Sequence, residues 1–251
     1  VTAIKLAIAM PVEGPPETAR VHYGVQLAIR KLGNVVRLDD SPTLITGNVD
    51  VVRARDRLAR VFLHETDCTA LLWWDEDCLP HDLGIINRML ETGQDCVGAP
   101  YRRKQDEKTY PYGPVIGQEV ANGCIEVEAL AFGFMLTSRA CMQRMWDAYH
   151  QERWYFDVQT REGKTTHTET VNMFGLTWTD QTQGADGAPW RTLLSEDYSF
   201  CRSWRAIGGR VMMYVGEGSP VGHIGSTVFR GTREGLVGEC EMPRPKTAGK
   251  P

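Results

Sequence analysis

The sequence lacks most of the short signals that fix a function quickly. Neither GxGxxG nor GxxxxGK stands anywhere in its 251 residues, which argues against a Rossmann dinucleotide site and a P-loop. The 7 cysteines form no CxxC pair and no Cys/His spacing, so neither a disulfide framework nor a structural zinc is expected, and a reducing cytoplasm is the simplest compartment. No run approaches the roughly 20 apolar residues of a membrane span. The opening VTAIKLAIAMP has the length of a strand rather than the form of a signal sequence, so the expectation is a soluble, untargeted protein. No repeat recurs at a fixed period, and low complexity is confined to the last stretch. Charge of one sign is also missing: 28 Lys and Arg against 32 Asp and Glu leave a net charge of -4. That excludes a global basic field for non-specific nucleic-acid binding but leaves room for a local patch.

What is present points to an α/β chain long enough for a sizeable core. Residues 4–10, IKLAIAM, read as a first buried strand running into the loop PVEGPP. Residues 17–31 have helical spacing, and a second strand at 35–38 runs into Asp39 and Asp40, which either meet a base or ribose or occupy a turn. The stretch 69–80, TALLWWDEDCLP, is central: an apolar strand ends abruptly in Asp75, Glu76 and Asp77 and is stopped by Pro80. Ligands bind at the carboxyl ends of strands in open α/β sheets, so acids there can hold Mg²⁺ or Mn²⁺ against a diphosphate; the plain alternative is a solvated acidic turn.

Before that strand, VVRARDRLARVFL spaces Val52, Leu58, Val61 and Phe62 along one stripe of a helix, with Arg53, Arg57 and Arg60 on another side. Arg55 lies near the helix start, where a cation opposes the dipole, so an anionic partner is expected for it; Arg57 and Arg60 read as a solvated basic face. Further on, residues 125–137 read as one strand interrupted by Gly133, a sign of close approach or a bend. Ser138 caps a helix, and WYFDVQ and TVNMFGL flank a hairpin turn at REGK. Trp154, Tyr155, Phe156, Trp178 and Trp190 build either a surface for a flat, amphipathic ligand or a small satellite core. Glu196 and Asp197 follow Ser195 in the first turn of a helix, where the dipole stabilises anions whatever their function. His223, between glycines after a last strand, is a candidate metal ligand or a plain surface residue.

In this order VRARDRLA, LLWWDED, ALAFGFMLTSRA, LSEDYSFCRSWRAIGGRV and GHIG make the chain resemble a GT-A fold nucleotide-sugar glycosyltransferase of the family-two-like, bacterial or phage type. The resemblance implies a GT-A, Rossmann-like mixed and mostly parallel sheet flanked by helices. A single domain would cover 1–230, with an acceptor-side hairpin and loop insertion at 150–190 and a flexible tail at 231–251. LLWWDED would be the DxD motif. Asp75 would face the donor ribose or the metal's waters, Asp77 would ligate Mn²⁺ or Mg²⁺, and His223 would complete the protein ligands. Asp197 would take the proton of the attacking hydroxyl in an inverting enzyme, with Glu196 orienting it or touching the acceptor. Arg55 matches a position that would meet the donor nucleotide, UDP or another; Asp39, from its place at a strand end, is a further candidate for that contact, and Arg230 with Arg233, from their place in the tail after His223, are candidates to close over the diphosphate. Asp56 departs from the pattern, since many relatives carry Asn there.

The resemblance leaves the acceptor open between a saccharide or lipid-linked glycan and, for a phage protein in its host's cytoplasm, a hydroxymethylated DNA base stacked and gripped by the aromatic insertion with Arg102, Arg103 and Lys104. Two other functions compete. A nucleotidyltransferase would also use strand-end acids and a divalent cation, but PVEGPP is a poor version of its glycine-rich loop. A non-catalytic sugar or nucleic-acid binding module on the same fold would tolerate loss of Asp77.

Overall fold

The computed structural model describes residues 4–12, 43–47, 50–105, 109–120, 122–161, 163–180, 182–183, 188–224, 228–233 and 235–236. The expected helix at 17–31, the strand at 35–38, Asp39 and Asp40 lie outside them. The described elements are β1 (Leu6–Val12), β2 (Thr43–Gly47), α1 (Val51–Glu65), β3 (Ala70–Trp74), β4 (Cys78–Leu79), α2 (Gly84–Glu91), β5 (Cys96–Gly98), β6 (Val115–Val120), β7 (Cys124–Val127) and β8 (Phe134–Ser138). They continue with α3 (Arg139–Arg153), the hairpin β9 (Trp154–Arg161) and β10 (Lys164–Val171), β11 (Thr182–Gln183), β12 (Pro189–Trp190), α4 (Glu196–Ala206), β13 (Val211–Tyr214), β14 (Gly222–Ile224) and β15 (Val228–Phe229).

Eight strands form one mixed sheet in the order β2-β1-β3-β8-β5-β13-β7-β6. Only β8 and β7 run against the rest, since each pairs antiparallel with both its neighbours while β2, β1 and β3, and β5 and β13, pair in parallel. The expected mixed, mostly parallel sheet flanked by helices is therefore the architecture found, and it is compatible with a Rossmann-like GT-A fold. Strand alternation explains its two covered faces. Leu71 and Trp73 of β3 pack with Phe62 of α1, Met142 of α3 and Phe200 of α4, whereas Leu72 and Trp74 pack with Ile85 and Met89 of α2. Burying each such side chain contributes about 1.5–3 kcal/mol, which is why the central strand is apolar on both faces.

One expected strand is in fact two. The stretch 125–137 divides into β7, beside β13, and β8, between β3 and β5. Gly133 marks a close approach: a Cβ there would lie 2.5 Å from the Tyr101 ring and 2.8 Å from Cys78 Sγ. The hairpin turns at Gly163, whose φ of +75° suits glycine. The packed chain runs past residue 230, for Leu236 is fully buried in the core; the rest of the expected tail, 237–251, is outside the described residues.

Candidate functional site

The acidic tip of β3 is a tight turn. Asp75 N–H donates to the Gly133 carbonyl at 2.9 Å, Cys78 N–H donates to the Asp75 carbonyl at 3.0 Å, and Trp74 Nε1 donates to the Cys78 carbonyl at 2.9 Å. The chain then forms β4, which pairs antiparallel with β14 so that His223 sits opposite Cys78, and Ile224 N–H donates to the Asp77 carbonyl at 2.7 Å. This small backbone ladder brings His223 to Asp77 across 146 residues of sequence, with Nε2 3.3 Å from Asp77 Oδ2.

The imidazole's orientation follows from its second nitrogen. His223 Nδ1 lies 2.9 Å from the Arg102 carbonyl, which can only accept, so Nδ1 carries a proton and Nε2 is the nitrogen turned to Asp77. Lys104 donates to the same Asp77 oxygen. Burial pushes the Asp77 carboxyl up, but the hydrogen bonds from His223 and Lys104 outweigh it and hold it at about 2. Asp77, Cys78 and His223 offer ligand atoms within 4.8 Å of one another. A carboxylate and an imidazole suit a small divalent cation. The Cys78 thiol suits it poorly, because sulfur is a soft ligand and Mg²⁺ and Mn²⁺ favour oxygen.

Asp75 is turned away from this cluster. Its two oxygens accept from Arg55 Nη2 at 3.1 and 3.3 Å, and Arg55 Nε lies 3.6 Å from Glu196 Oε1. Arg55 is only 2% exposed, with Trp73, Phe132 and Phe174 centred 5.8 to 6.0 Å from its guanidinium carbon. The expected anionic partner exists among the described residues, as a pair of carboxylates inside the protein. Burial works against the Arg55 charge, yet Asp75, Glu196 and Asp197 together raise its pKa. Burial also raises Asp75, with Asp77 adding to it and Arg55 opposing, and it raises Glu196, with Asp197 adding.

Asp197 occupies a different position from its neighbour. While Glu196 turns inward to Arg55, Asp197 lines a cleft of about 440 Å³ together with Tyr101, Arg103, Lys104, Tyr198 and His223. Its Oδ1 accepts from Tyr198 N–H at 2.8 Å and from the Ser195 hydroxyl, which fixes the carboxylate at the amino end of α4. Arg230 bonds to His81, and Arg233 Nε donates to the Val215 carbonyl at 2.7 Å.

Other polar residues near the site hold the fold together. Asp56 is fully buried and accepts from Met173 N–H at 2.9 Å, Phe174 N–H at 3.0 Å and the Tyr155 hydroxyl at 3.3 Å. Burial drives its carboxyl up to about 8. Arg57, expected on a solvated face, instead grips buried Asp157 of β9 through Nε at 2.7 Å and Nη2 at 2.9 Å. The insertion's aromatics do not build a satellite core: Trp154, Phe156, Trp178 and Trp190 are all about half exposed, while Tyr155 is tied to Asp56.

No helix among the described residues is long and apolar enough to cross a membrane. No family model matches the chain, and no curated protein matches it. Among solved structures the chain is similar to A197 from STIV, with 16% identity over 88% of this chain and 85% of that one and a TM-score of 0.47. It is also similar to a mannose-1-phosphate geranyltransferase from Thermus thermophilus, with 12% identity over 58% of this chain and 60% of that one and a TM-score of 0.41. These likenesses are distant and assign neither substrate nor reaction.

Proposed function

We propose that the chain is a divalent-metal-dependent glycosyltransferase that moves a sugar from a nucleoside-diphosphate sugar to a hydroxyl acceptor. The observation that carries this reading is the meeting of Asp77 and His223 at 3.3 Å, beside a cleft lined by His223, Lys104 and Asp197. Asp77 and His223 are the residues that would hold Mn²⁺ or Mg²⁺. A cation bound there would offset the charge of the departing diphosphate. Lys104 and Arg103 add positive charge to the same cleft.

Asp197 is the general base. It takes the proton of the acceptor hydroxyl as that oxygen bonds the anomeric carbon; the bond from that carbon to the diphosphate oxygen breaks, and its electron pair leaves with the nucleoside diphosphate. Glu196 and Asp75 do not touch substrate in this scheme. They hold Arg55, and through it the spacing between the tip of β3 and the start of α4.

Titration calorimetry of UDP and GDP, in Mn²⁺ and again in EDTA, tests the first half. Binding should depend on the metal and be lost in Asp77→Ala and His223→Ala; equal affinity in EDTA would remove both from their roles. Asp197→Asn tests the second half: transfer should fall by about 10²–10⁴-fold with UDP affinity unchanged.

A further inference from the structure

The cleft holding Asp197 and His223 is continued by a larger one, and we infer that this second cleft binds a neutral saccharide. Its role as the acceptor side of the transfer rests on the transferase reading; its saccharide chemistry does not. The two clefts follow one another along the same three stretches of chain. Pro111, Ala131 and Ser195 line the first, Gly113, Ala129 and Leu194 line the second, and Tyr198 lines both. Stretches 111–114 and 128–131 are tied together beneath them: Gly113 N–H donates to the Ala129 carbonyl at 2.7 Å, Glu128 N–H to the Pro114 carbonyl at 2.8 Å, and Ala131 N–H to the Pro111 carbonyl at 3.2 Å. A group seated in the second cleft therefore abuts the first turn of α4, where Asp197 stands.

The second cleft holds about 720 Å³, in the range of small-molecule sites. The wall formed by Thr179 and Asp180 is fixed to α4, since the preceding Thr177 N–H donates to the buried Ser199 hydroxyl at 2.9 Å and Asp180 accepts from Arg202. A wall fixed in advance costs a ligand less ordering.

Its chemistry selects among ligand classes. Glu128, Asp180, Arg202 and Arg205 supply two charges of each sign, and both cations are already paired, Arg202 with Asp180 and Arg205 with Glu126 at 2.9 Å. No surplus of cations remains to neutralise a phosphodiester chain, so a nucleic-acid acceptor is disfavoured. Four ionised side chains equally disfavour a lipid tail. Vicinal hydroxyls, each both donor and acceptor, match carboxylates and guanidinium groups lying side by side, and the Tyr198 ring with Leu194 offers an apolar surface for the C–H face of a sugar ring.

The test uses the full chain and saturation-transfer NMR with the methyl glycosides of glucose, galactose and mannose, alongside calorimetry of UDP with Mn²⁺. At least one glycoside should receive saturation, and its affinity, read from the signal against glycoside concentration, should fall at least about tenfold, equivalent to 1.4 kcal/mol, in Glu128→Trp, which fills the cleft from an exposed position, and in Arg202→Ala, while UDP binding stays put. Arg202→Ala decides the matter alone if the tryptophan variant does not fold. Absence of any glycoside signal with intact metal-dependent UDP binding overturns the cleft assignment and spares the transferase. A signal unchanged in the variants, or displaced by a single-stranded oligonucleotide, also overturns it. Glycoside binding lost in the variants, together with metal-independent UDP binding, upholds the saccharide site and removes the transferase.

Discussion

Arg55 and Asp75 form an ion pair, enclosed at the arginine and 27% exposed at the carboxylate, in which a single guanidinium nitrogen meets both carboxylate oxygens, at 3.1 and 3.3 Å. The remainder of the guanidinium is poorly matched: buried Nη1 has no hydrogen-bond partner among the described residues, and Nε meets Glu196 only at ion-pair distance. Removing one member of such a pair leaves the other charge stranded, at a cost of about 3–5 kcal/mol. Arg55→Met should therefore be strongly destabilising in urea unfolding. The double variant Arg55→Met with Asp75→Asn should recover part of that loss, giving a coupling energy above about 1 kcal/mol. Additive losses would mean that the two residues act separately.

Lys104 donates to the Asp77 oxygen that a divalent cation would take in the proposed scheme, so the two would compete for it. Lys104→Met should then bind Mn²⁺ alone a few-fold more tightly than the wild type, as followed by the electron-spin signal of the free ion, because the side chain is 38% exposed and a surface pair is worth only about 0–1 kcal/mol. His223→Ala should shift Mn²⁺ affinity the opposite way. Weaker Mn²⁺ binding in Lys104→Met would show that the ammonium supports the cation site instead of occupying it.

The sheet and the acidic strand tip are legible in the sequence because both are written in local patterns: an apolar run of strand length, then three acids and a proline. Arg55 finds its anionic partners inside the protein for a physical reason. Its place near the helix start suggests an outward ligand, yet it stands three residues before Leu58 and seven before Phe62, on the buried stripe. A charged residue on an apolar stripe is a visible sign of a buried polar contact, and Asp56, three before Ala59 and seven before Leu63, carries the same sign. Other contacts have no local signal. Lys104 reaches Asp77, and Arg57 reaches Asp157, only through tertiary packing, and nothing in a charged loop or a basic helix face distinguishes them from solvated neighbours. The division of 125–137 into two strands is likewise hidden, since its apolar residues serve two separated places in one sheet.

The hairpin is held to α1 by unequal arginines. Arg57 binds Asp157 with two nitrogens at 2.7 and 2.9 Å, whereas Arg53 reaches it with one at 3.3 Å and keeps a side chain 45% exposed. Arg57→Ala should cost about 2–4 kcal/mol, because it leaves a buried carboxylate short of its main partner, and Arg53→Ala less than about 1 kcal/mol. Denaturant titration of the two variants side by side checks the order, and equal losses would contradict the assigned geometry.

Asp56 sets a pH dependence of stability with a definite sign. Its carboxyl stands at about 8 in the folded chain, mainly through burial and against the hydrogen bonds from Phe174 and Met173, whereas an unfolded aspartate titrates near ~3.9. Between these values the folded state binds the extra proton, so the stabilisation is complete below about pH 4 and is lost as pH rises through about 8. Asn mimics the protonated acid. Its carbonyl can accept from Met173 and Phe174, and its amide can donate to the Tyr155 oxygen. Asp56→Asn should remove this residue's share of the decline in stability from pH 4 to 8 and leave the variant more stable than the wild type at pH 8 by on the order of a few kcal/mol, while the two match more closely near pH 4. Urea unfolding at half-unit pH intervals gives both curves; parallel curves across that range would mean that Asp56 titrates as an ordinary carboxylate.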